Sequence, residues 1–80
     1  MNKLLLIDDD VELCELVAEY LDGEGFEVEV VFDGSSGLDR ARSETWDLII
    51  LDVMLPGLTG FEVLRRFREN SSVPVLMLTA

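Results

Sequence analysis

Three short runs in this chain carry no polar side chain: 4-LLLI-7, 48-LIIL-51 and 75-VLML-78. A strand with one face in water alternates apolar and polar residues. A run that is apolar at every position is covered on both faces, as interior strands of a parallel sheet are. Helical periodicity fills the intervals between these runs. Leu13, Leu16, Val17, Tyr20 and Leu21 recur at i, i+3, i+4, i+7 and i+8, which predicts a helix with that stripe buried. Asp10 is placed to cap its start, and Gly23 and Gly25 to stop it. The segment 26-FEVEVV-31 alternates apolar and acidic residues, as an edge or half-exposed strand does. Asp33-Gly34 makes a turn, and a weaker helix follows to about Ser43. Trp46 is expected to pack just ahead of the third strand. After a loop with Pro56-Gly57, a third helix is expected to turn Phe61, Leu64 and Phe67 inward and Arg65, Arg66 and Arg68 outward, until Asn70, Ser71 and Ser72 break it. Val73–Thr79 reads as a fourth strand, with Pro74 confined to its start.

The resulting order is β-α-β-α-β-α-β, which predicts an α/β fold with a doubly wound parallel sheet. In such sheets ligands bind outside the carboxyl ends of the strands. Four polar residues fall there. Asp8 and Asp9 follow the first strand, Asp52 ends the third, and Thr79 ends the fourth. A lone aspartate between a strand and a helix is ordinarily a cap. Three in a row, 8-DDD-10, exceed what capping needs, so Asp10 is assigned to the cap and Asp8 and Asp9 to a cation. Asp52 alone would read as a loop carboxylate, and Thr79 alone as a β-branched strand residue. Their convergence on one rim changes that reading.

Charge decides which chemistry this rim suits. The 80 residues hold 17 acidic and six basic side chains, a net charge of −11, so the chain repels nucleic acid and anionic lipid. Divalent cations and basic protein surfaces are better partners. There is no histidine, which removes histidine catalysis and histidine metal sites. Crowded carboxylates raise each other's pKa, and a hard cation such as Mg²⁺ relieves them while leaving room for a phosphate oxygen. Such a site suits phosphoryl transfer, with Asp52 as the attacking carboxylate. Thr79 can donate a hydrogen bond to a phosphoryl oxygen, and Gly57 and Gly60 let the following loop approach closely. The one cysteine, Cys14, excludes an intrachain disulfide and reads as a small core residue. Met54 and Met77 read as packing, and Lys3 as an ordinary strand-start residue. No apolar run approaches the ~18 residues of a membrane span, and a reducing cytoplasm is the expected location.

The segments LLLIDDD at 4–10, DLIILDVMLPGLTG at 47–60 and VPVLMLTA at 73–80 resemble the receiver domain of two-component response regulators. DVMLPG and LMLTA are most like the OmpR/PhoB subfamily, and the opening MNKLLLIDDD is similar to CpxR-type regulators. The resemblance implies a flavodoxin-like fold with strand order 2-1-3-4-5. It implies that Asp52 accepts phosphate from the phosphohistidine of a sensor histidine kinase. Asp8, Asp9 and Asp52 would hold Mg²⁺ with the backbone carbonyl of Met54. Thr79 would be the switch hydroxyl, and Ala80 the small residue that leaves the phosphoryl group accessible. The implied role is regulated acceptance rather than enzyme turnover. The output would be transcription, with DNA contacted only through a domain outside these residues, no membrane partner, and a homodimer as a further expectation.

Receiver domains are longer than this chain. A lysine at the end of a fifth strand and a switch aromatic on it both lie beyond Ala80, so residues 1–80 are expected to be a receiver truncated before strand five. Lys3 cannot replace that lysine. It starts the strand that Asp8 ends, five residues and roughly 16 Å away at the wrong end of the sheet. Strand four, apolar on both faces, would then form an open edge. Two alternatives remain open at this point. One is a haloacid-dehalogenase-type phosphatase fragment with Asp8 as nucleophile and Asp10 as acid/base, although Val11-Glu12 stands where Gly-Thr is expected. The other is a degenerate receiver serving as an interaction module.

Overall fold

The apolar runs become strands, and the polar segments between them become helices and loops. The computed structural model describes residues 2–78. Strand β1 spans Asn2–Ile7, α1 Val11–Gly23, β2 Phe26–Val31, α2 Gly34–Ser43, β3 Leu48–Asp52, α3 Gly60–Arg68 and β4 Val75–Leu78. All strand pairs are parallel, in the order β2-β1-β3-β4. The fold is therefore the expected doubly wound sheet. The alternating segment is the edge strand β2, and the fully apolar β1 and β3 are interior.

Register sets the height of the site. Ile7 pairs with Leu51, and Asp52 with Leu78, so Asp8 and Asp52 leave the sheet at the same rim. Fourth-strand pairing begins at Val75 rather than Val73. Pro74, which has no N–H, contributes only its carbonyl, accepting from Ile49 at 3.0 Å. Thr79 and Ala80, expected as switch hydroxyl and small neighbour, lie outside the described residues.

Successive side chains of a strand point to opposite faces, and two cores follow. Leu5, Ile7, Ile49 and Leu51 pack with Leu38, Ala41, Leu55, Val63 and Phe67 beneath α2 and α3, with Trp46 closing the lower end. Leu4, Leu6 and Ile50 face α1, where Cys14 is the fully buried residue and Val17 and Leu21 pack beside it. This corrects the expected face of α1: Leu13, Leu16 and Tyr20 are exposed. At about 100° per residue the apolar arc of this helix covers roughly 160°, and the sheet covers only the Cys14 half. The third helix is likewise rotated. Phe61 is exposed, and Val63, absent from the expected face, is buried with Phe67. The three arginines point outward as expected; Arg65 and Arg66 pair with Glu62. Among the described residues, no helix is long and apolar enough to cross a membrane.

Helix caps match local chemistry. Asp10 accepts the Leu13 N–H at 3.1 Å, as assigned. Asp33, read only as a turn residue, caps α2 by accepting from Ser36 N at 2.8 Å. Thr59 caps α3 through Glu62 N. At the end of the sheet away from the aspartates, Arg40 bonds Glu29 and Glu44, and Lys3 bonds Glu44. Both cations also lie over the Trp46 ring, at 5.2 and 5.7 Å from its centroid. Lys3 is thus more than a strand-start residue, and it is engaged far from the acidic rim.

Candidate functional site

Two segments bring carboxylates to the rim. Asp8 leaves β1 nearly buried, at 5% exposure; Asp9 beside it is exposed, and Asp52 ends β3 half-buried. One carboxylate oxygen from each of the three can be chosen so that all lie within 4.8 Å of one another. The expected convergence of Asp8, Asp9 and Asp52 is therefore present in the fold.

The surroundings hold these groups in place. Asp8 Oδ1 accepts the Asp10 N–H at 2.9 Å, and the Asp8 backbone N–H donates to Val31 O at 3.1 Å. Burial raises the Asp8 pKa, and the charges of Asp52, Asp9 and Asp10 add to that, against the opposing hydrogen bond from Asp10. Asp52 Oδ1 accepts the Met54 N–H at 3.2 Å. A Cβ on Gly60 would overlap the Asp52 carbonyl oxygen, and Gly60 N donates to Val53 O at 3.0 Å. The expected close approach of that glycine is real. Gly57 supplies the left-handed turn of the loop, at φ +73°.

The rim encloses an open hollow of about 300 Å³, lined by the three aspartates, Asp10, Leu13, Met54 and Leu78. Met54 corrects the packing expectation: its side chain is 70% exposed, whereas Met77 packs against the core beneath α2 and α3. Leu13 is a lining residue that helical periodicity assigned to the core instead. Cys14 lies beneath the site, its Sγ donating to the Asp8 carbonyl at 3.4 Å. Burial first, then the aspartate charges, push its thiol up to about 11, which favours the neutral form. The clustered donors are carboxylate oxygens, which suit a hard divalent cation.

The comparisons fit this geometry. The family model of the response regulator receiver domain matches residues 4–80. The transcriptional regulatory protein CpxR homolog of Haemophilus influenzae is 50% identical over 80 residues, covering 100% of this chain and 35% of that protein. The chain spans about a third of the length of the curated relatives it matches. Among solved structures, the Francisella response regulator 1452 receiver domain superposes with a TM-score of 0.96 at 31% identity, over 100% of this chain and 67% of that one. TrrA of Thermotoga maritima, 34% identical, gives 0.93 when solved with Mg²⁺–BeF and 0.91 when solved in complex with histidine kinase ThkA, each over 100% of this chain and 70% of TrrA. The phosphatase alternative, which needed Gly-Thr after its acidic pair, finds no support in these matches. With strand order, acidic rim and sequence in agreement, the chain belongs to the receiver domains of two-component response regulators, among relatives of the OmpR/PhoB type.

Proposed function

We propose that this receiver takes a phosphoryl group from the phosphohistidine of a sensor kinase onto Asp52. The observation that carries the reading is the closeness of the Asp8, Asp9 and Asp52 oxygens at the carboxyl rim. One Asp52 oxygen bonds to phosphorus while the bond from phosphorus to the kinase imidazole breaks, and the imidazole keeps the electron pair. Asp8, Asp9 and Asp52, with the Met54 carbonyl, hold Mg²⁺, which when bound offsets the negative charge of the carboxylates and the incoming phosphoryl oxygens. The Asp10 N–H orients Asp8, and the Met54 N–H orients Asp52. Thr79, from its place in the sequence, donates to a phosphoryl oxygen and follows it as the switch.

Relatives support the kinase as partner. TrrA was solved with a histidine kinase and, separately, with Mg²⁺–BeF, and the Haemophilus relative is named a transcriptional regulator. We assign a sensor kinase and a second copy of the chain as protein partners, transcription as the output and the cytoplasm as the location. A net charge of −11 leaves DNA contact to sequence outside these 80 residues. β4 is apolar at every position yet lies at the edge of the sheet, which supports a further strand pairing there, as the receiver reading requires. In the full-length protein the β4 amides should then be protected from exchange; rapid exchange would count against the further strand.

Labelling by acetyl phosphate tests the acceptor. Asp52→Asn in the full-length protein should abolish it. Labelling that survives Asp52→Asn and is lost in Asp8→Asn overturns the assignment. Mg²⁺ should also raise the melting temperature, by ~1.4 kcal/mol of stability at ten times its Kd. A melting temperature unmoved by millimolar Mg²⁺ removes the cation from the reading.

A further inference from the structure

Gly34 opens α2, directly after the capping Asp33. Its backbone needs no glycine, because only Gly25 and Gly57 have positive φ among the described residues. Alanine is the better helix former. Space is what excludes it. A Cβ there would overlap the carbonyl oxygen of Leu58 and lie 3.1 Å from both Leu58 Cβ and Val63 Cγ2.

Leu58 belongs to loop 53–59, which leaves Asp52 and returns to α3. The loop is tied to Asp52 at its other points. Gly60 rests on the Asp52 carbonyl, and Met54 gives its N–H to Asp52 Oδ1. A push on Leu58 is therefore delivered to the backbone and the carboxylate of Asp52. We propose that Gly34, on a helix that contributes no carboxylate to the rim, is a positioning residue for Asp52, acting through its bare Cα against the Leu58 carbonyl. The inference rests on Asp52 being the acceptor.

Gly37 separates positioning from crowding. It lies on the same helix, and the three atoms nearest to a Cβ there all belong to the Ile7 side chain, the first being Cγ2 at 2.7 Å. The same added methyl strains the core in one case and the loop in the other. In the full-length protein at saturating Mg²⁺, Gly34→Ala should lower the rate of acetyl phosphate labelling per folded molecule by roughly tenfold or more. Gly37→Ala should lose stability and label within about twofold of the parent. Parent-like labelling in Gly34→Ala, or an equal loss in Gly37→Ala, overturns the proposal. A parent protein that does not label at Asp52 overturns the acceptor reading instead. A measurement on the unaltered protein covers the case in which Gly34→Ala does not fold. In a Mg²⁺ titration, the Gly34 and Leu58 amide resonances should shift with the midpoint of Met54 while Gly37 stays fixed. A Gly34 resonance that does not move overturns the proposal.

Discussion

The two faces of the sheet draw on alternate residues of the same strands, yet they are covered unequally. Among the described residues, the face beneath α2 and α3 has ten buried apolar residues in one cluster, and the face beneath α1 has four. On the α1 side Leu16, Tyr20 and Leu76 are each more than half exposed. By the two-residue period, Asp8 continues the Leu4–Leu6 side and Asp52 the Ile50 side, which is the α1 face. The carboxylates therefore top the thinner-covered face, where Asp9 and Asp52 are open to water, and the loop that braces Asp52 leans on the thicker one. A charged site gains from the first, and fixed geometry from the second.

Truncating a side chain at the centre of the thicker face tests this most strongly. Phe67→Ala should cost about 3–5 kcal/mol in urea unfolding. A cost near 1 kcal/mol would mean that the α2/α3 core is not the rigid one. A closer comparison uses neighbours on β1. Leu5 and Leu6 are equally buried but face opposite ways. Leu5→Ala should fall near the top of the usual ~2–5 kcal/mol range and Leu6→Ala near the bottom, because sparser packing relaxes more easily around a cavity. Equal losses would erase the distinction.

The salt-bridge cluster fastens the lower end of α2 to the edge strand and offers a pH-dependent test. The Glu29 carboxyl is held below its ordinary 4.5 chiefly by Arg40 hydrogen bonds. That of Glu44 is lowered by Lys3 first and Arg40 second. Such carboxylates stabilise the fold above their unfolded pKa, and that contribution fades as pH falls through the folded one. Arg40→Ala should therefore lower the urea midpoint at neutral pH, and the gap should close as pH falls below the ordinary glutamate range. A gap that widens on acidification would contradict the assignment. The smallest effect belongs to the exposed half of α1. Leu16→Ala in these 80 residues should change stability by no more than about 0.5 kcal/mol. In the full-length protein a loss of about 2 kcal/mol or more would show that further sequence covers this helix.

Much of this arrangement was legible in the sequence because strands without polar residues leave few choices. Runs 4–7 and 48–51 had to be interior, and interior parallel strands bring Asp8 and Asp52 to one end. Asp10 as cap and Gly60 as a point of close approach followed from local chemistry. Helix rotation was not legible. The α1 apolar arc is wider than one sheet face can cover, so periodicity could not choose between Leu16 and Cys14. In α3, Val63 faces Gly34, which is distant in sequence, and Phe61 is turned outward. The Lys3–Glu44 and Arg40–Glu29 pairs were hidden for the same reason, at separations of 41 and 11 residues.

Trp46 carries a practical consequence. It is the sole tryptophan, 3% exposed and flanked by Lys3 and Arg40. Six residues of strand and approach, roughly 20 Å at 3.3 Å each, separate it from Asp52. As an intrinsic fluorophore it registers melting of the α2 anchorage but is too remote to sense occupancy of the acidic rim by contact. Emission spectroscopy on these 80 residues is thus an unfolding assay, and ligation at the aspartates has to be followed by another optical or magnetic label.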